Sequence, residues 1–351
     1  MAIGRAGVGV AGYVGLAFQG SGGYANVQAT SVHWMPMISE SIKANNEVMR
    51  SGTMRASYEE TEPEFGLRSV GGDVVMEVDA VTVGALLKAA MGACATAITS
   101  ATGIRTHLFK AVNSATLFSP WTPMQPFTLF IGRDVGSQFV YHDCIANTLE
   151  LSFANGEFNK ATMGVLGLGG IMVASEMAPV YPLESAVPKQ SWIANSVAYN
   201  GAAANFVQNM TFKLDNKIEV RPTLTSSNNA LRMKRAGFRE IRISGNLEFE
   251  DATEAQKWES GSAQMLELQA RANAAGNQTL QLRAYRMKYD DFTANIGGPG
   301  AITAAFEASA VYNTSSGAAL TALVTVYSSA GVGSGTGTPT GWATYGDGAI
   351  S

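Results

Sequence analysis

The order of apolar and polar residues along the chain predicts a protein built mainly from β-strands. From Cys144 to Phe153 the two kinds of residue alternate, which is typical of a strand with one buried face. Asn155-Gly156 follows as a strong hairpin signal, and Phe158 to Leu166 is predicted to return as the partner strand. We predict further strands at residues 31–48, 106–109, 127–131, 206–214, 239–250, 279–288, 302–312 and 320–328.

The segment from Ser69 to Gly92 carries the signals of a strand followed by a short helix. The glycine pair Gly71-Gly72 is expected to begin the strand, and Asp79 to end it. Asp79 suits a helix N-cap, because its carboxylate can accept hydrogen bonds from free backbone N–H groups. Gly92 suits the helix end, because glycine takes the left-handed conformation that stops a helix.

The same order of signals returns between Ile243 and Gly261. Gly245 is expected to begin the strand, Asp251 to cap the helix, and Gly261 to end it, with Glu254 at the capping-box position. We interpret the two copies as an internal duplication, which would dictate the architecture. The alternative is that any β protein with a helix gives such similarities.

The duplication predicts two α+β units of similar plan, each with a long polar stretch (residues 49–68 and 221–238) before its glycine-entered strand. The start of the chain, rich in Gly, Ala and Ser, is expected to form an extended arm. A segment with little periodicity and several prolines is the predicted linker. The predicted divisions are an N-terminal arm at 1–32, a first domain at 33–175, a linker at 176–200, a second domain at 201–330 and a flexible Gly/Ser/Thr-rich tail at 331–351.

Composition narrows the classes of function. Only 15% of the 351 residues are charged, which is low, and 38 are glycine. A surface poor in charge fits a protein that is largely covered by copies of itself. The net charge of -4 argues against a sequence-independent nucleic-acid binder, which needs clustered Lys and Arg.

No combination of residues predicts a catalytic, cofactor or metal site. The GxGxxG pattern at Gly7 to Gly12 lacks the preceding strand and following helix of a dinucleotide site. His142 and Cys144 would share one face of a strand, yet no oxyanion loop accompanies them. Cys94 and Cys144 form no CxxC motif, and the histidines lack ligand spacing. We therefore expect neither an enzyme nor a cofactor, with two thiols kept in a reducing compartment and a disulfide between them left open.

Glycines interrupt the apolar run of the first twenty residues, so we do not expect a signal peptide. No run approaches the roughly 20 apolar residues that a membrane helix needs. A soluble protein that stays in the cytoplasm until it assembles is the resulting expectation.

Several blocks of the sequence resemble the tail tube proteins of long-tailed bacteriophages. That family has a Tyr-hydrophobic-Gly arm, a Ser-Glu-Ser strand, a long polar hairpin, a glycine-entered strand and a short helix. The matching residues here are Tyr13 to Gly15, Ser39 to Ser41, Arg50 to Arg68, Gly71 to Asp79 and Val81 to Met91. Residues 144–166 and 206–219 are similar too, so the resemblance covers most of 1–330 but not the tail.

The resemblance implies tandem β-sandwich domains, mainly β in class, each with a flanking short helix. It implies inner sheets that join those of neighbouring copies into a β-barrel tube, in rings that stack around passing DNA. Like charge repels phosphate, so a slightly acidic protein suits DNA ejection through the tube. Two domains per chain favour a homotrimer with pseudo-sixfold symmetry over a hexamer.

The resemblance also implies partners and contacts. The partners would be other copies, further tail proteins (tape measure, tail terminator, distal tail) and DNA bound without sequence specificity, in a virion assembled in the host cytoplasm. The polar stretches would bridge rings or subunits. The residues proposed for this contact are Arg50, Arg55, Tyr58, Glu59, Glu60, Glu62, Glu64, Arg232, Lys234 and Arg235.

Two other functions remain open at this stage. A head–tail joining protein or minor tail protein would share the β-rich, self-assembling character but form a single ring. A β-rich carbohydrate-binding module would need clustered exposed aromatic residues, whereas the five tryptophans are dispersed along the chain.

Overall fold

The computed structural model describes residues 9–19, 32–53, 59, 62–79, 82–99, 104–111, 124–173, 175–181, 189–191, 195–222, 232–271, 278–296 and 300–327. The elements of the first part are β1 (Tyr13–Phe18), β2 (His33–Met35), β3 (Ser39–Glu40), β4 (Lys43–Met49), β5 (Glu64–Glu77), α1 (Thr82–Met91), β6 (Gly92–Thr99), β7 (Ile104–Ala111), β8 (Phe127–Gly132), β9 (Gln138–Ala154) and β10 (Lys160–Val173). Those of the second part are β11 (Ser196–Tyr199), β12 (Ala202–Ala203), β13 (Val207–Asp215), β14 (Ile218–Arg221), β15 (Arg232–Arg235), β16 (Glu240–Glu248), α2 (Thr253–Glu259), β17 (Gln264–Arg271), β18 (Thr279–Ala294), β19 (Thr303–Ala310) and β20 (Leu320–Tyr327). The prediction of a mainly β protein with short helices is confirmed.

Eight strands form one continuous antiparallel layer, which we call the inner sheet. Its order is β4, β5, β10, β9, β13, β16, β19 and β18. The first four strands come from the first part of the chain and the last four from the second. In each group the first two strands (β4 and β5, or β13 and β16) precede and follow a polar hairpin. The last two strands (β10 and β9, or β19 and β18) stand in the reverse of their order along the chain. The two halves thus share one strand order, whereas the exact domain boundaries stay a prediction.

Two glycines mark the same place in the two halves. A Cβ atom on Gly72 would lie 2.4 Å from the carbonyl oxygen of Ser41, and one on Gly245 would lie 2.3 Å from that of Asn209. Glycine is therefore required at both close approaches. The expectation that these glycines begin their strands is wrong, because β5 and β16 both start earlier, within or directly after the polar stretches.

A shared hydrogen bond supports this correspondence. The backbone N–H of Asp73 donates to the hydroxyl of Ser41 at 2.9 Å, and that of Asn246 donates to the side-chain oxygen of Asn209 at 3.0 Å. Both bonds lie next to the glycines. Corresponding positions in the two halves are counted from Gly72 and Gly245 below.

A second layer covers one face of the inner sheet. The first half of β9, together with the second half of β10, and the first half of β18 extend into this layer, where β9 pairs with β8 and β18 pairs with β17. β1 and β2 extend the sheet beyond β8, and β11 extends it beyond β17. Between the layers lies one apolar core cluster that spans both halves, including Leu16, Val74, Phe212 and Leu282.

One hairpin of the first half completes the second layer of the other half. β6 and β7 pair with each other, and β7 also pairs with β20, from Ile104 opposite Tyr327 to Lys110 opposite Thr321. β20 in turn pairs with β18. The two halves are therefore joined by strand pairing in both layers.

The sequence signals for α1 and for the first hairpin are confirmed. The Asp79 carboxylate accepts a hydrogen bond from the backbone N–H of Thr82 at 2.7 Å. Gly92 has φ +89°, in the left-handed region where glycine is favoured, and Gly156 in the β9–β10 turn has φ +83°. All ten residues of α1 are buried.

The start of α2 differs from the prediction. The N-cap residue is Ala252, which makes no side-chain cap hydrogen bond, so the prediction that Asp251 caps the helix is wrong. Asp251 instead accepts from the backbone N–H of Thr253 at 2.8 Å, and Gly261 has φ +61°, as expected for the helix end. Glu254, however, does not form a capping box, because its carboxylate is buried and needs partners there. It accepts from the Tyr289 hydroxyl at 2.7 Å, from the Gln264 amide at 3.1 Å and from the Lys257 ammonium at 2.5 Å.

Two segments predicted to lie outside the domains contain strands. All six residues of β1 are buried, so Tyr13–Phe18 is part of the core and not of an extended arm. The reason is that this run is apolar throughout. β11 lies inside the predicted linker and pairs with β17. The predicted tail at 331–351 lies outside the described residues.

Cys144 is buried, Cys94 is partly buried, and no disulfide joins them. Within the described part of the chain, neither helix has the length and apolar character needed to cross a membrane.

Candidate functional site: two sheet edges, one polar face and two arms

The face of the inner sheet that points away from the core is polar and rich in acidic residues. Along its strands, buried apolar residues alternate with partly or fully exposed polar ones. The described acidic residues on this polar face are Asp73, Glu77, Glu150, Asp215, Glu240, Glu248, Asp290, Asp291 and Glu307, and the basic ones are Lys43, Lys160, Lys213, Arg242 and Lys288. The acidic residues outnumber the basic ones by nine to five, so this face repels anions.

The inner sheet has two open edges. At one edge β4 pairs with β5, and six of its seven residues are exposed. At the other edge the last part of β18, Lys288 to Ala294, pairs with β19. In the part of the chain that the structure describes, neither segment has a strand on its outer side. Open edges present unpaired backbone N–H and C=O groups, which are templates for pairing with another chain.

The contact between the two halves shows how such edges fit together. β9 of the first half pairs with β13 of the second, from Ala154 opposite Asn209 to Thr148 opposite Asp215. Beneath this pairing, the rings of Phe153 and Phe212 meet edge to face with centroids 6.2 Å apart. In the shared strand order, β9 corresponds to β18 and β13 to β4. The two open edges are therefore the counterparts of the two edges that pair inside the chain.

Two hairpins, which we call arms, extend from the inner sheet. The first arm comprises residues 47–67, at the ends of β4 and β5, and the second comprises residues 218–235, with β14 and β15. Of the predicted contact residues, Arg50, Glu59, Glu62 and Glu64 lie exposed on the first arm. Arg55, Tyr58 and Glu60 lie outside the described residues. On the second arm Arg232 and Lys234 are exposed and Arg235 is partly buried.

The second arm carries a concentration of positive charge. Arg221 lies directly opposite Arg232, and such like-charged pairs are unfavourable unless an anion is near. Burial and the nearby Arg235 lower the pKa of Arg239 to about 10. One described acidic residue of this arm, Glu219, pairs with Arg221 at 2.5 Å. The exposed face of the arm is therefore suited to an acidic partner.

The inner face of the second arm packs on the first half of the chain, which the sequence analysis did not foresee. Ile218 and Met233 are buried against Met124, Ile145 and Leu168. Apolar residues at alternate positions of β14 were the available signal, although nothing local identified the surface they would cover.

Asn216 fixes the base of the second arm. Its side-chain amide donates to the carbonyl oxygens of Ala90 at 2.9 Å and Ala146 at 3.1 Å, and its oxygen accepts from Arg239 at 2.9 Å. Asn216 is fully buried, so these bonds join the arm, the end of α1 and β9.

Both arms leave the inner sheet at one end, which we call the arm rim. β5 runs from Glu64 at its arm to Glu77, which lies opposite Lys160 next to the β9–β10 turn. β13 runs from that same turn region, with Asn209 opposite Ala154, to Asp215 at the second arm. The opposite end of the sheet, the turn rim, therefore carries the β9–β10 turn and the junction between β16 and α2.

The geometry around His142 and Cys144 does not fit an activated thiol. The His142 imidazole contacts the Asp143 carboxylate at 2.7 Å, while the Cys144 thiol donates to backbone carbonyl oxygens of Tyr141 and His142. Burial raises the pKa of Cys144, the direction opposite to that of a reactive cysteine. Among the described residues, no group of three His, Cys, Asp or Glu side chains could hold a metal ion.

Compared with models of known protein families, the sequence matches the one described as "Phage tail tube protein", over residues 9–310. No curated protein matches the chain. The matched region includes both halves of the inner sheet and both arms.

Proposed function

This chain belongs to the phage tail tube protein family, and from that premise we propose that its copies close into rings that stack into the hollow tail tube. The family gives the chain a structural role in the virion. The observation that carries the finer proposal is the pair of open edges on the inner sheet, because each corresponds to an edge that is already paired inside the chain.

Ring closure would repeat the internal contact between neighbouring copies. The end of β18 of one copy would pair with β4 of the next, as β9 pairs with β13 within one chain. Counted from the two corresponding glycines, Leu149 and Leu214, which lie opposite each other, correspond to Ala294 and Asn46. We therefore propose that Ala294 of one copy lies opposite Asn46 of the next.

Three copies satisfy this scheme most simply. Each chain supplies two groups of four strands, so three chains would give three times eight, or 24, strands in six similar groups. A barrel of this kind leaves no open edge. A ring of six copies would need twice as many strands around a wider channel.

The polar face would line the channel. The opposite face of the inner sheet is covered by the second layer, so the polar face is the one available to the lumen. Its excess of acidic residues supports passage of DNA without binding, since both surfaces are negative.

The arms would connect successive rings. The exposed basic residues of the second arm, Arg232 and Lys234, lie at the arm rim. Glu248, Glu250 and Asp251 are exposed at the turn rim. Stacking in one direction brings these opposite charges together. Other tail proteins would bind the end rings of the tube, which would be assembled in the host cytoplasm.

Electron microscopy of the purified protein in negative stain tests the proposal directly. We expect hollow tubes whose end-on views average with threefold symmetry. Discrete single rings would instead support a head–tail joining protein. Monomers at high concentration would contradict self-assembly altogether.

Cysteine cross-linking tests the proposed edge pairing. Ala294→Cys combined with Asn46→Cys should give disulfide-linked oligomers under mild oxidation. Ala294→Cys combined with Ser39→Cys, which is out of register, is the matched control. Equal cross-linking of both pairs, or of neither in assembled tubes, would contradict the register.

A further inference from the structure

Each half of the chain exposes a phenylalanine at the same position. Phe65 lies seven residues before Gly72 and Phe238 seven residues before Gly245. The Phe65 side chain is 66% exposed and Phe238 is 94% exposed. An aromatic side chain with most of its surface exposed forgoes part of the free energy of burial, roughly 25 cal/mol for each Å² of apolar surface left in water. Its presence at both corresponding positions indicates a use common to the two halves.

Both phenylalanines lie at the arm rim. Phe65 is in β5 opposite Val48, and Met49 follows on β4; all three are at least 48% exposed. Phe238 lies between β15 and β16, at the base of the second arm. The exposed apolar surface of the arm rim is thus repeated once per half.

The turn rim carries two clefts. The first, of about 360 Å³, is lined by Glu77, Phe158 and Lys160, and the ring of Phe158 is 48% exposed. The second, of about 490 Å³, lies between the two halves and is lined by Phe153, Gln208 and other residues of β9, β13 and β16. Clefts of this size accept an aromatic side chain.

We propose that Phe65 and Phe238 of one copy insert into these turn-rim clefts of a second copy in the next ring. The inference rests on the proposed stacking of rings. Two aromatic side chains at one rim and two clefts at the other give a head-to-tail contact. Such a contact uses different surfaces on the two partners and therefore continues without closing, as a tube requires.

The contact would combine with the charged arms in a definite way. The phenylalanines would supply apolar burial near the sheet, while Arg232 and Lys234 would meet acidic residues farther out. Aromatic anchors surrounded by polar contacts are the usual arrangement of a binding hot spot. Stacking should therefore persist in moderate salt, which screens charges but not apolar burial.

Paired serine substitutions test the aromatic anchors. The variant with Phe65→Ser and Phe238→Ser should still form rings, yet need at least a tenfold higher protein concentration to form tubes, measured by sedimentation and microscopy. Trp258→Ser, on α2 and 40% exposed in the free chain, is the matched control and should polymerise like the unmodified protein. Unchanged polymerisation of the double variant would overturn the inference.

Cross-linking between copies provides a second measurement. Phe238→Cys combined with Phe158→Cys or with Gln208→Cys should give covalent chains of copies in tubes, whereas each single variant should not. If tubes form but neither pair cross-links, the inference fails and the proposed function stands. If the unmodified protein forms no rings, the proposed function fails as well.

Discussion

The two arms arise at corresponding places in the two halves, yet the second arm buries apolar residues on the fold, whereas most described residues of the first arm are exposed. The second arm buries Ile218 and Met233 against the first half, and Asn216 hydrogen-bonds its base to α1 and β9. The first arm follows β4, in which six of seven residues are exposed. The same supersecondary element therefore serves tertiary structure in one half and is available for quaternary structure in the other.

The two helices also differ in how deeply they are buried. All ten residues of α1 are buried, whereas α2 buries Glu254 alone among its seven residues. α1 is enclosed because it contacts β6, β7 and β9 of its own half. The first half is therefore more deeply buried around its helix than the second half is around α2. The contact between the halves inside one chain is the pattern that we propose for the contact between the open edges of neighbouring copies.

The largest expected effect comes from the core beneath the internal junction. Phe212→Ala removes a ring that is 2% exposed and packs against Phe153, so we expect a loss of about 3–5 kcal/mol of unfolding free energy. Urea denaturation of the unassembled chain measures it. Lys213→Ala, one residue away on the polar face, is the control and should cost less than about 1 kcal/mol. Equal losses would mean that the junction is not held by its core.

The anchor of the second arm should contribute less than the core. Asn216→Ala removes three side-chain hydrogen bonds from a buried site, which should cost about 2 kcal/mol. It should also speed proteolysis within the second arm. Asn46→Ala makes the same change on exposed β4 and should do neither. If both variants behave alike, the two arms are equivalent after all.

A pH series would sharpen the contrast between the helices. Burial lowers the pKa of Lys88 on α1 from 10.5 to about 8. Between these values the unfolded chain binds a proton that the folded chain releases, so the Lys88 contribution to stability rises with pH in that window. Lys88→Met should therefore be more stable than the unmodified chain below pH 8, by about 1–3 kcal/mol once solvent screening is allowed for, with the gap closing towards pH 10.

Unfolding in urea at pH 7, 9 and 10 measures this gap. Lys43→Met, at an exposed position on β4, is the matched control for the loss of a lysine charge. A constant difference between Lys88→Met and the unmodified chain would rule out the proposed titration.

The smallest effect is expected for the ion pair across the internal junction. Lys213 and Glu150 lie 3.5 Å apart with side chains 52% and 40% exposed, so their coupling should be about 0.2–1 kcal/mol. A double-mutant cycle with alanine at low and high salt measures it. A coupling that is larger and insensitive to salt would show that this junction depends on charge.

Local signals in the sequence predicted local structure well. Asp79 and Gly92 correctly predicted the two ends of α1, and Asn155-Gly156 correctly predicted the β9–β10 turn. Each of these residues acts through its own backbone conformation or through the nearest backbone N–H groups, so a local pattern is enough to identify it. The repeated order of signals also pointed to the repeated strand order.

Three of the failures involve partners that lie outside the local sequence pattern. β1 was predicted to belong to the extended N-terminal segment at 1–32. Its burial depends on pairing with β8, more than 100 residues later in the chain. Glu254 was assigned to a capping box, but Tyr289 and Gln264 hold its carboxylate. The anchoring of the second arm depends on Ala90 and Ala146, which no local pattern around Asn216 indicates.

The pairing of β7 with β20 has a consequence for synthesis of the chain. β7 ends at Ala111 and β20 begins at Leu320, so the ribosome must add more than 200 residues before β7 meets this partner. At roughly 5–20 residues per second, the nascent chain would wait about 10–40 s before the edge of β7 that faces away from β6 finds this partner. The last described strand thus completes a sheet that the first half began, and a chain interrupted before Leu320 lacks that closure.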